Sequence, residues 1–181
     1  MKELLKNRAV AAALCVVMVL LGIVAGVRGP FGDMKEDALV YFDGTQDIIG
    51  IKQDLSDKVN TAYSLVSVAK RYLDENDVLM TSLTSACDKV EDADDPSDAF
   101  VADKSMNECY YALKDKLASL SMKKADIDWN YSLLADYESS SKIIANSPYN
   151  EYAREINEEM SKFPANIFTK ITFVSEMAVF E

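Results

Sequence analysis

The sequence predicts an all-α protein: an N-terminal transmembrane helix followed by an elongated antiparallel bundle of three to four long helices. Three observations lead there. Ala9 to Val27 runs 19 residues without a charge. From Tyr41 to Val90 apolar residues recur in alternating steps of three and four, the spacing of one helix face. No run of four to eight residues alternates cleanly between turn signals, and ITFV at 171–174 would be a strand without a partner.

The first element is the uncharged run. At ~1.5 Å per residue it reaches about 28 Å, close to the ~30 Å hydrocarbon core. Lys2, Lys6 and Arg8 precede it, so the count of basic residues places a short N-terminus, 1–8, in the cytoplasm and the rest of the chain outside it. The expected location is the cell membrane, single-pass, with the lipid bilayer as the partner of residues 9–27. A cleaved signal peptide ending near Val24-Ala25-Gly26 is the rival reading, although the run exceeds the usual ~7–15 apolar residues. Gly22 and Gly26 form a G-x-x-x-G that suits helix pairing, so a homo-oligomer is among the expected states.

Residues 28–33, Arg-Gly-Pro-Phe-Gly-Asp, read as a linker because Pro30 and two glycines interrupt a helix. The domain proper is 34–181. Its first helix carries Ile51, Leu55, Val59, Ala62, Val66, Ala69, Leu73, Asn76, Met80, Leu83, Cys87 and Val90 on one seam. Unbroken from Met34 to Val90 it would be about 85 Å long, with Asn76 a wet seam position. Asp95-Pro96-Ser97-Asp98 reads as the next helix start, Asp95 capping and Pro96 in the first turn. That helix places Ala99, Ala102, Met106, Cys109, Leu113, Leu117 and Leu120 on its buried face. A loop over 121–128 follows, with Asp128 as the next cap. The third helix carries Trp129, Leu133, Leu134, Tyr137, Ile144, Tyr149, Tyr152, Ile156, Met160 and Phe163. Pro148 predicts a kink or break near Asn146, and Pro164 ends the helix. The apolar tail from 165 to 181 should pack back on the bundle.

The chemistry available is narrow. The chain has 19 Lys+Arg against 30 Asp+Glu, a net charge of −11, which opposes nucleic-acid binding. It has no histidine, the usual neutral-pH base and commonest metal ligand. All six glycines lie at or before Gly50, so no phosphate-binding loop or nucleophile elbow follows. A calcium loop starting at Asp92 fails, because Pro96 and Ser97 stand where an oxygen ligand and glycine are needed. Cys87 and Cys109 fall on seams of consecutive helices, offset by ~15 Å along the axes, which favours two buried thiols over a disulfide. No catalytic, metal or cofactor residue is expected, and the chain reads as a non-enzyme.

One segment carries a resemblance. Tyr149-Asn150, Asn157 seven residues on, and Phe163-Pro164 with Asn166 form a pattern similar to that of the LemA family. Leu65, Val66, Lys70 and Tyr72, and the final Phe180-Glu181, resemble it too. The likeness covers about 55–181 and is that of a divergent member. It implies a single-anchor protein with a long-helix bundle and no established enzymatic activity, whose genes often neighbour membrane-protein quality-control factors. The expected function is an adaptor or scaffold that works through contacts with a membrane or envelope protein. The alternative is a ligand-sensing helical domain. Phe163, Pro164 and Asn166 are expected to latch the tail, with Phe163 buried, against a rival reading as an exposed docking motif.

Overall fold

The computed structural model describes residues 8–181, apart from the side chains at 8, 9, 20, 23–25, 27 and 28. Its elements are α-helices: α1 (Arg8–Asp43), α2 (Ile51–Ala69), α3 (Val78–Glu91), α4 (Pro96–Ala118), α5 (Lys124–Ala145), α6 (Pro148–Ser161) and α7 (Ala165–Thr172). The all-α expectation holds for the described residues.

The transmembrane helix does not. Among the described residues no helix is long and apolar enough to cross a membrane. The uncharged run is no separate span: it is the first half of a 36-residue helix that continues through Asp33, Lys35, Glu36 and Asp37. The single-pass topology, the bilayer as partner of 9–27 and the cell-membrane location lose their support with it. The cytoplasmic N-terminus falls on 1–7, outside the described residues. The linker at 28–33 is helical, with Pro30 inside α1.

The long first helix of the domain is also divided. Gly44 adopts φ +83°, and a Cβ on Gly50 would lie 2.3 Å from the Gly44 nitrogen. Two glycines thus let the backbone double back on itself where any side chain would collide. The second division falls at 70–77. There Asp74 accepts from the Asn76 amide at 2.9 Å, and Asp77 caps α3 by accepting from the Leu79 amide at 3.0 Å. Asn76 is therefore an exposed turn residue, not a seam position.

Two compact units result: the described residues up to Asp37 with Ala153–Met177, and Ala38–Tyr152 with Ala178–Glu181. In the second, α2 packs on α3, α4 and α5, and α3 packs on α4. The predicted seam supplies its core: Ile51, Leu55, Val59, Ala62, Val66, Ala69, Met80, Leu83, Cys87 and Val90 are all buried. From α4 come Met106, Tyr110, Leu113 and Leu117, and from α5 Leu133, Tyr137 and Ile144. Asp95 caps α4 as expected, accepting from the Ser97 amide at 2.7 Å. α5 starts at Lys124, ahead of Asp128, which turns Trp129 outward. The break at Asn146 is present, and Pro148 opens α6. In the first unit, Ile156, Met160, Thr169, Thr172 and Met177 are buried. Lys35 Nζ donates to the Ser175 carbonyl at 2.5 Å.

Candidate functional site

The two motif asparagines clamp the C-terminal segment. In the first unit, Asn157 Nδ2 donates to the Met177 carbonyl at 2.8 Å and its Oδ1 accepts from the Met177 amide at 2.7 Å. One side chain so satisfies both backbone groups of Met177, as a strand partner would. In the second unit, Asn150 Nδ2 donates to the Ile144 and Ala145 carbonyls in the last turn of α5, at 2.7 and 3.1 Å. Its Oδ1 accepts from the Phe180 amide at 2.8 Å. Phe180 then sits among Phe42, Phe100 and Tyr149, with centroids 6.3, 5.6 and 6.0 Å away. Tyr149 is fully buried, and its hydroxyl has no hydrogen-bond partner. Burial, with Asp95 adding to it, raises the Tyr149 pKa.

The other half of the motif behaves differently. Phe163 is 80% exposed, so the expected buried latch is absent. Pro164 caps α7 and is itself exposed. The Asn166 amide donates to the Lys162 carbonyl at 2.9 Å, while its side-chain Oδ1 is buried without a partner. The reason lies in the turn at 162–164: α7 starts at once and its inner face is filled by Thr169 and Thr172. Ile167 and Ile171, one turn apart, face outward. Phe173 follows, 88% exposed and held at φ +56°. A phenylalanine in left-handed backbone is strained by roughly 1–2 kcal/mol relative to glycine. Here no burial offsets that strain. In the same unit, Val16, Val17, Met18 and Val19 on α1 are exposed in succession.

A buried polar network, which the seam pattern did not reveal, crosses the four-helix core. Lys58 on α2 is 1% exposed, and its ammonium lies 2.7 Å from Asp103 Oδ1 on α4. Asp103 Oδ2 accepts from Asn107 Nδ2 at 3.2 Å, and Asn107 Oδ1 accepts from the Tyr137 hydroxyl at 2.8 Å. The ammonium also stands 5.0 Å over the Tyr137 ring. Burial pushes the Lys58 pKa down, against the opposing pull of Asp103. Tyr110 stacks on Tyr137 at 3.6 Å between centroids. A second lock ties Arg71 and Tyr72 at the end of α2 to Asp126 in the first turn of α5, with Arg71 at 2.5 Å. Both pairs link the α2 region to a neighbouring helix, α4 or α5.

None of these groups forms a nucleophile–base pair. Among the described residues, no cluster of three or more acidic or cysteine side chains is arranged to hold a metal. Cys87 and Cys109 are free thiols, the first buried and the second half-buried. Burial, with Asp88 and Glu91 adding to it, pushes Cys87 up to about 12, which makes it a poor nucleophile. The groups turned to solvent are instead large and apolar: Phe163, Ile167, Ile171 and Phe173. Compared with known proteins, the chain matches no family model, no curated protein and no solved structure.

Proposed function

We propose that this protein is a helical scaffold or adaptor that performs no catalysis itself and engages a partner protein through the exposed apolar face at 163–173. The observation that carries this reading is Phe173. It is strained in its backbone, and its ring is open to water rather than packed in its own fold. Phe163, Ile167 and Ile171 are exposed as well. Large aromatic side chains left in water are the usual anchors of protein interfaces. The resemblance of Tyr149–Asn166 to the LemA family supports the reading, since the resemblance implies no enzymatic activity. The test is photo-crosslinking in cells from a benzophenone side chain placed at 163 or 173. A discrete protein adduct from these positions, with none from the exposed position 151, is the expected result. Equal labelling from all three positions would reject the docking face.

A further inference from the structure

Residues 178–181 have no regular secondary structure and belong to the four-helix unit. They lie at its surface: Ala178 and Val179 are half-buried, while the Phe180 ring is inserted to 2% exposure. One anchor ring in a pocket, with shallow residues beside it, is how an extended peptide is held by a receptor. The walls of the pocket also hold one another. Phe42 and Tyr149 pack at 5.7 Å between centroids, and Phe100, itself half-buried, carries the pocket to the surface. The polar contact is set in advance in the same way. Asn150 Nδ2 is held by the Ile144 and Ala145 carbonyls, which aims its Oδ1 at the Phe180 amide, 2.8 Å away. Every residue but proline carries such an amide, so this bond selects an extended main chain and the pocket selects the ring.

We propose that this pocket is a peptide-binding site, in which residues 178–181 are an internal ligand that an extended, phenylalanine-bearing segment of another protein displaces. The chemistry of that segment is read from the occupant. It needs one phenylalanine for the aromatic pocket, small or branched apolar residues before it, and a backbone N–H for Asn150. A second copy of this chain has its own segment docked, so an exchange between copies gains no contact. A partner whose segment has no pocket of its own gains all of them. The proposal uses none of the residues at 163–173 and does not rest on the scaffold reading.

Hydrogen exchange of the unaltered full chain tests whether the segment detaches. The Phe180 amide is expected to exchange faster than the amide of buried Leu65 in α2, at a rate that low urea leaves unchanged, as local opening does. A Phe180 rate that rises with urea in step with Leu65 would place the segment in the core and overturn the proposal. Peptide binding is then read on Phe180→Ala, which empties the pocket. This variant is expected to bind acetyl-Ala-Val-Phe-Glu-amide saturably and about tenfold more tightly than the unaltered chain, whose own segment competes. The same peptide with alanine for phenylalanine is expected not to saturate. Equal affinities of the two chains, no saturation by the phenylalanine peptide, or saturation by the alanine peptide would each overturn the proposal. A dimer of the unaltered chain that the peptide dissociates would assign the pocket to a second copy and overturn the choice of partner. If Phe180→Ala loses its helical spectrum, the exchange measurement decides alone.

Discussion

The side chains that decide this structure are polar ones in apolar places. Lys58 follows Asp57 and precedes Val59, and Asp103 follows Ala102, so each sits one position off a periodic apolar series. A binary pattern reads such residues as solvated, and the structure buries both as a pair. Truncating one partner strands the other charge, which costs about 3–5 kcal/mol in buried pairs. Lys58→Met is expected to lose that much in urea unfolding, and Lys58→Met with Asp103→Leu to regain most of it. A single variant as stable as the parent would show that the pair does not hold the core. Asn150 and Asn157 stood out only through the resemblance of Tyr149–Asn166 to the LemA pattern. Their role was not legible, since the groups they bond, at Phe180 and Met177, lie 30 and 20 residues away. Asn157→Ala is expected to speed hydrogen exchange at the Met177 amide at least tenfold, about 1.4 kcal/mol of lost hydrogen bonding. An unchanged rate would place the tail's hold elsewhere.

At the scale of elements, two local signals were read correctly, whereas Pro30 lies inside α1 and Asp128 is not the cap of α5. Asp95-Pro96 starts α4, and Pro148 separates α5 from α6. Continuity was over-read. The seam from Ile51 to Val90 keeps its period across the turn at 70–77, because α2 and α3 pack on each other and each needs its own apolar face. Periodicity therefore reports burial faithfully and says little about whether the chain reverses between two helices. Pro148 illustrates a revised energetic expectation. Inside a continuous helix its replacement by alanine would raise stability by a few kcal/mol. As the first residue of α6 it is well placed, with its missing N–H of no consequence. Pro148→Ala is expected to leave the melting midpoint unchanged or lower stability by less than about 1 kcal/mol. A gain of 2 kcal/mol or more, on the order of relieving a helix-interior proline, would restore the continuous-helix reading.

For the whole molecule, composition indicated a surplus of acid, and the apolar spacing indicated helices and located the core of the four-helix unit. The exposed face at 163–173 was hidden because Phe163, Ile167 and Phe173 look like core residues by type. Only the turn at 162–164 decides which way they point. The buried acids of the core give a pH signature. Cys87, at about 12 against an ordinary value of 9.0, and Tyr110, Tyr137 and Tyr149, raised by burial, hold their protons in the folded chain above the pH at which the unfolded chain releases them. Their contribution is complete below about pH 9 and is lost as pH rises through the folded values. Lys58, lowered below 10.5, acts in the opposite sense but is one group against four. The urea midpoint is therefore expected to fall between pH 8 and pH 10.5, and a rising midpoint would contradict the burial of these groups. The docking face is tested most directly by Phe173→Gly, measured for melting and for partner capture in parallel. Glycine suits φ +56° and removes an exposed ring, so stability is expected to hold or rise by about 1 kcal/mol. Partner capture by the same variant is expected to be lost. A clear fall in melting temperature, or full partner capture by the glycine variant, would contradict the account.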